Sequence, residues 1–218
     1  MRFLRLASLV LSLFAGAALA SPANPVDGVD YTTLSAPQPT QATGKKVEVI
    51  EFFMYHCPVC NALEPAFEEW VRKQGERIAL RRVHVPYTGP NDPEAHLFLT
   101  LEAMGRLGDM HEKVFHARHV ERQRLKSDED MINWAAKNGI DRDKFVEVWS
   151  SFGVTTKLRR LSQVMQNYGV DSAPTLVIDG RYMTSPSMVR NGASDQAQVF
   201  RATLQVADAL VAKAAQSK

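Results

Sequence analysis

The two cysteines of this 218-residue chain stand as Cys57-Pro58-Val59-Cys60, directly after the apolar run Val47 to Phe53. Placed where an extended segment turns into a helix, such a pair closes a small disulfide ring with little loop entropy to lose, so the ring opens and closes reversibly. That spacing reads first as redox chemistry. The run itself, rich in Val, Ile and Phe, is expected to be a buried strand. After it, Leu63, Phe67 and Trp70 recur at helical spacing, so Asn61 to Gln74 is expected to be a helix with Cys57 at its N-terminus.

Free backbone N–H groups and the positive end of a helix dipole favour a thiolate over a thiol, which lowers the pKa of a cysteine placed there. The dipole alone falls short. A two-unit depression needs roughly 2.7 kcal/mol, whereas a helix terminus typically gives about 0.3 to 1 kcal/mol and reaches about 2 only in favourable geometry. Another group has to contribute, and His56, adjacent in the chain, is the candidate if its ring turns toward the sulfur. Pro58, at the first helical turn, has no N–H to leave unsatisfied and a φ already suited to the helix, so it stiffens the ring.

Two blander roles for the cysteines are a permanent staple and half of a zinc site. The usual zinc site needs four ligands, and no second Cys-X-X-Cys or His-x3-5-His partner is present in the sequence. No metal is therefore expected. Residues 1–20 have a basic start (Arg2, Arg5), an apolar stretch from Leu6 to Leu19 and the ending Ala18-Leu19-Ala20, the pattern of a secretory signal cleaved before Ser21. Export places the cysteines where disulfides persist. Removal of the signal leaves 24 of the 26 basic residues against 24 acidic ones, so nothing in the charge balance suggests a nucleic acid or a charged membrane surface as partner.

Downstream, Ser21 to Lys46 is rich in Pro, Thr, Gln and Gly and reads as a tether, with Tyr31 to Leu34 as a short edge strand. Ile78 to Val85 is a second strand, interrupted by Arg81 and Arg82 and expected to lie parallel to the first. Then the pattern turns helical. Asp92-Pro93-Glu94 is a start signal, and further helices are expected over Met110 to His119, Ser127 to Lys137, Asp141 to Ser151 and Thr155 to Tyr168. A hairpin follows, Thr175 to Ile178 and Arg181 to Thr184 about the turn Asp179-Gly180, and a last helix runs from about Ser194 to Ala214. The fold class is α/β, a sheet interrupted by helices.

This order resembles a thioredoxin fold with an inserted all-helical subdomain, the architecture of the periplasmic DsbA-type thiol:disulfide oxidoreductases. The likeness is carried by Glu51-Phe52-Phe53, by Cys57-Pro58-Val59-Cys60, and by Ala173-Pro174-Thr175 followed by Val177-Ile178-Asp179-Gly180-Arg181-Tyr182. It implies a signal peptide over 1–20, an N-terminal segment over 21–46, a thioredoxin-like domain divided between 47–90 and 170–218, and the insertion over 91–169. By position it implies Cys57 as the exposed, attacking sulfur and Cys60 as the buried resolving one. Pro174, after Ala173, matches a cis proline opposite the disulfide whose bare backbone pairs with substrate. Glu51 matches a buried acid that assists proton movement at the resolving sulfur.

One departure stands out. The best-known pattern has His where this chain has Val59, and the loss of that imidazole should raise the pKa of Cys57 and make the disulfide less oxidising. His56 is expected to make up part of the loss.

The resemblance further implies a monomeric enzyme without cofactor that introduces disulfides into reduced, unfolded exported proteins, with a quinone-linked membrane reoxidant of the DsbB type as partner. A disulfide isomerase or reductase of the same fold is the first alternative; a dimerisation domain of the kind such isomerases carry has no room in the short N-terminal segment. The second is a secreted polypeptide-binding module with a structural disulfide.

Elsewhere, His111, His116 and His119 are expected in solvated or helix-packing roles, and Arg118, Arg122, Arg124 and Lys126 in a solvated loop. The stripes Phe145, Val148, Trp149, Phe152 and Leu158, Leu161, Val164, Met165 read as subdomain core. Met54, Tyr55, Pro58, Val59, Met183 and Pro186 are candidates for an exposed apolar rim around the disulfide.

Overall fold

The computed structural model describes residues 24–190 and 195–218; the expected signal peptide over 1–20 lies outside them. Seven residues of unbroken apolar and β-branched preference, with two acids among them, make the strand β2 (Val47–Phe53), and every one of the seven is buried. Burial on both faces is possible because β2 has a neighbour on each side and a layer above and below. It pairs in parallel with β3 (Ile78–His84) and antiparallel with β4 (Thr175–Ile178). Beyond β4 lie β5 (Tyr182–Thr184) and the two-residue edge strand β1 (Thr32–Thr33), giving the order β1-β5-β4-β2-β3.

The alternation of β2 sorts its side chains. Val47 and Val49 face a core shared with Leu63, Phe67 and Trp70 of α1 (Pro58–Gln74) and with α7 (Gln196–Ala215), whereas Ile50 and Phe52 on the other face enter the core of the inserted helices, which Phe53 joins at the end of the strand, out of the alternation. Glu51, in step with Val47 and Val49, therefore points to the α1 side. The parallel register sets it directly opposite Arg82.

Between β3 and β4 the described chain is helical: α2 (Pro93–Ala103), α3 (Leu107–His119), α4 (Asp128–Lys137), α5 (Arg142–Trp149) and α6 (Phe152–Tyr168). All of these but α3 start on a side-chain cap. Asp92 accepts the Ala95 N–H at 2.8 Å ahead of α2, and Ser127 and Asp130 form a reciprocal capping box ahead of α4. Phe53 joins the insertion to the sheet, its ring in edge contact with Tyr55, His84, Phe98 and His111.

The β4–β5 hairpin turns through Asp179, Gly180 and Arg181 between the paired Ile178 and Tyr182, with Asp179 and Gly180 left-handed at φ 52° and 62° and the Arg181 N–H donating to the Ile178 carbonyl oxygen at 3.0 Å. A Cβ at residue 180 would sit 2.1 Å from the Gln38 carbonyl oxygen, so only glycine fits there.

Three expectations need correction. Phe152 is 85% exposed, not core, because α6 starts three residues earlier than expected, on the Ser151 cap, and turns its first residue outward. Tyr55 and Pro186 are buried and form no part of an exposed rim. Arg118 belongs to α3 and is an ion-pair partner of Glu94 at 2.9 Å instead of a solvated loop residue.

Candidate active site

Cys57 is the N-cap of α1: its backbone is extended (φ −76°, ψ 116°) and its sulfur accepts the Cys60 N–H at 3.3 Å. Pro58 follows at the first helical position, where its missing N–H costs nothing. Both sulfurs are free thiols, Cys60 wholly inaccessible and Cys57 at 7% exposure. The Cys57 sulfur is thus less exposed than the resemblance implied, with the Ala173 carbonyl oxygen 3.6 Å from it.

The two thiols divide one proton unequally. The Cys60 thiol donates to the Cys57 sulfur; with the N–H groups of Cys60 and Val59 and a smaller charge effect from His56, this overcomes burial and draws Cys57 down from an ordinary thiol's 9.0 to about 6. The same hydrogen bond, together with burial, pushes Cys60 far up. A helix dipole reinforced by a neighbouring thiol, with His56 as the lesser contributor, answers the shortfall noted from the sequence.

Pro174 follows a cis Ala173-Pro174 bond and is buried, and the Ala173 carbonyl just before it faces the Cys57 sulfur. Beside it opens a cleft of about 510 Å³ lined by Val59, Ala173, Pro174, Pro186, Val199 and Phe200 among others. Where the resemblance would put an imidazole, Val59 gives the cleft wall an apolar surface and donates only its backbone N–H to the sulfur.

His56 turns toward the insertion. Its ring Nδ1 lies 2.6 Å from Glu94 Oε2 and its backbone N–H donates to the same oxygen at 3.1 Å, while the Tyr87 ring packs against it at 4.9 Å between centroids. The Glu94 hydrogen bond raises the His56 pKa above its ordinary 6.5, which favours the charged ring.

Beneath the cysteines, Glu51 is 1% exposed and accepts from Arg82 Nε at 2.9 Å; the same guanidinium reaches Glu64 at 3.2 Å and Glu68 at 2.5 Å. Burial, and then the charge of Glu64, hold Glu51 up at about 7, above a carboxylate's usual 4.5; burial foremost holds Glu64 at about 7 as well. His111 extends the cluster: Nδ1 is 2.9 Å from the Tyr55 hydroxyl and Nε2 is 3.2 Å from Glu64. Burial pushes His111 down to about 4, leaving it a neutral, packed histidine. Sequence reading missed Arg82, Glu64, Glu68 and Glu94 as parts of the site. A readable signal existed for three of them, since an arginine inside a buried strand demands an acid, and Glu64 and Glu68 stand at i and i+4 on the buried face of α1.

The DSBA-like thioredoxin domain profile matches residues 91–203. Thiol:disulfide interchange protein DsbA of Burkholderia cepacia is 37% identical over 192 residues, 88% of this chain and 90% of that one. This chain belongs to the DsbA family. The DsbA of Bordetella parapertussis is 38% identical over 91% of this chain and 94% of that one. In three dimensions the crystal structure of Pseudomonas aeruginosa DsbA matches with a TM-score of 0.77 at 33% identity, covering 88% of this chain and 96% of that one. Like these DsbA proteins, the chain has a thioredoxin-like fold, with the helical insertion between β3 and β4.

Proposed function

We propose that this member of the DsbA family introduces disulfide bonds into reduced, unfolded exported proteins, exchanging them through Cys57 and Cys60. The observation that carries it is the Cys57 sulfur at the start of α1, accepting the Cys60 N–H and lying 3.6 Å from the Ala173 carbonyl oxygen beside the cis Pro174, a setting that draws its pKa down to about 6. In the oxidised protein a client thiolate attacks the Cys57 sulfur, the Cys57–Cys60 bond breaks, and its electron pair leaves on Cys60. Cys60 does not tolerate charge in its buried place, so it takes a proton; Glu51, whose own ionisation lies at about 7, stands on the α1 side of the sheet as the group that exchanges one with it. The client's second thiolate then attacks the client sulfur of the mixed disulfide. Cys57 departs as the easily formed thiolate, and a low-pKa leaving thiol departs fast.

Ala173 and Pro174 offer backbone to an extended client segment, and the cleft beside them, with apolar Val59, Val199 and Phe200 next to polar Ser187, Arg190 and Asp195, receives side chains without strict sequence demand. His56 and Pro58 support the thiolate. The thioredoxin-like domain comprises 47–90 and 170–218 and the inserted subdomain 91–169, after a signal peptide over 1–20 and a segment over 21–46. The site of action is the periplasm, the protein works as a monomer, and a quinone-linked membrane protein of the DsbB type returns it to the disulfide form. No helix among the described residues is long and apolar enough to cross a membrane, which accords with a freely diffusing enzyme.

The pH dependence of iodoacetamide alkylation tests this directly. Between pH 6 and 9 Cys57 is ionised where an ordinary thiol is not, so the reduced form gains stability as pH rises through this window and loses it as pH falls through about 6. The midpoint is diagnostic and the rate is not, because a three-unit lower pKa also cuts intrinsic nucleophilicity by roughly twentyfold. A midpoint near 6 is expected; one near 9 would sink the proposal. Rescue of a scrambled protein, without oxidation of a reduced one, would favour the isomerase instead.

Val59→His provides a second check. An imidazole there should lower Cys57 by about one further unit and make the couple more oxidising by about 30 mV, measured by equilibrium with glutathione.

A further inference from the structure

Glu94 is drawn from the insertion, yet it grips the active-site loop. It lies in the first turn of α2, behind Asp92 and Pro93, and its side chain is 7% exposed. The helix start that carries it is anchored at both ends: Asp92 caps Ala95 and also accepts the Thr88 N–H at 2.9 Å and its hydroxyl at 2.8 Å. One oxygen of Glu94 holds both the ring and the backbone N–H of His56; the other faces Arg118 Nε of α3 at 2.9 Å. Two contacts to one oxygen fix residue 56 in position and in ring rotation, and the next residue is Cys57.

We propose that Glu94 is a positioning residue for Cys57: it holds the His56 ring charged and fixed beside the reactive sulfur, so that the inserted helices take part in stabilising the thiolate. This rests on the thiolate chemistry proposed above and names a further residue behind it. The charged and titratable groups around His56 are Glu94 on α2 and Asp92 at its N-cap, Arg118 on α3, Lys126 ahead of α4, His84 on β3, and Tyr87 and Cys57 on the adjoining loops. Arg118 opposes the charge on His56, and the two acids favour it. His84 accepts the Tyr55 N–H at 3.2 Å through Nε2 and is neutral, so it supplies no competing cation. The charge of His56 is one of the causes that lower Cys57.

The sign of the effect separates this role from a general one. Removing Glu94 alone removes an anion, which by itself favours a thiolate; only by discharging His56 does its removal disfavour one. In the alkylation profile of the reduced protein, E94Q and H56A should each raise the Cys57 midpoint, with about threefold less thiolate at pH 6, the size of a partly exposed charge pair. In the H56A background, E94Q should leave the midpoint unmoved or lower it. By NMR, the His56 ring of E94Q should titrate near the ordinary histidine value, and E94D, which keeps the charge at shorter reach, should fall between E94Q and the parent. E94D carries the same test should E94Q fail to fold. An equal upward shift from E94Q in both backgrounds overturns the proposal, as does a midpoint in the E94Q single variant equal to the parent's when NMR shows its His56 ring titrating at the ordinary value. A parent protein whose Cys57 titrates like a free thiol overturns the function proposed above along with it, whereas the other two outcomes leave that function standing.

Discussion

Cys57→Ser is expected to abolish disulfide exchange altogether, since a serine oxygen forms no bond that a client thiolate can exchange and the chain has no third cysteine to substitute. The measurement is the oxidation of a reduced, unfolded protein in a glutathione buffer, compared with the parent. Cys60 variants behave differently. With Cys57 present and no internal thiol to resolve it, Cys60→Ser should collect as a mixed disulfide with glutathione, visible by mass. Its hydroxyl can still donate to the Cys57 sulfur, whereas Cys60→Ala removes the largest single contribution to the low pKa of Cys57. The alkylation midpoint should therefore lie higher in Cys60→Ala than in Cys60→Ser. Equal midpoints would mean that a side-chain donor at residue 60 does not hold the thiolate, and persistence of exchange in Cys57→Ser would end the mechanism.

What the sequence discloses of this site is what local chemistry determines. The Cys-X-X-Cys pair, the strand before it and the helix after it follow from adjacent residues, and the structure has them in the expected places. The cis bond at Pro174 came from the resemblance, and the structure has it. The partners of His56 were out of reach, because Glu94 is 38 residues away and arrives only through the docking of α2. Tyr55 illustrates the same limit. Read as part of an exposed rim, it is wholly buried, its hydroxyl 2.9 Å from His111 and its carbonyl oxygen 2.7 Å from His119 Nε2. Two histidines of a distant helix close over it, and no periodicity near residue 55 announces them. Arg82 was half legible: its place in a strand was visible, while the register that sets it opposite Glu51 depended on the crossover through α1.

That register makes Arg82 the residue whose loss should most damage the folded state. One guanidinium, 14% exposed, faces three carboxylates, two of them almost wholly buried. It stays charged, while Glu51 and Glu64 are already held at about 7. Arg82→Met keeps most of the volume and removes the cation, so any carboxylate still ionised is left uncompensated inside the protein, a change that typically costs about 3–5 kcal/mol. Carboxyls raised from 4.5 to about 7 bind protons more tightly folded than unfolded, so the stability they contribute is complete below 4.5 and is lost as pH rises toward 7. In the variant these groups lose their only strong counter-charge and their ionisation moves higher still. The destabilisation measured by urea unfolding should accordingly be near its full size at pH 8 and clearly smaller at pH 5, where the acids neutralise themselves. Equal losses at the two pH values would show that Arg82 matters to the fold through its packing on Phe67 and not through its charge.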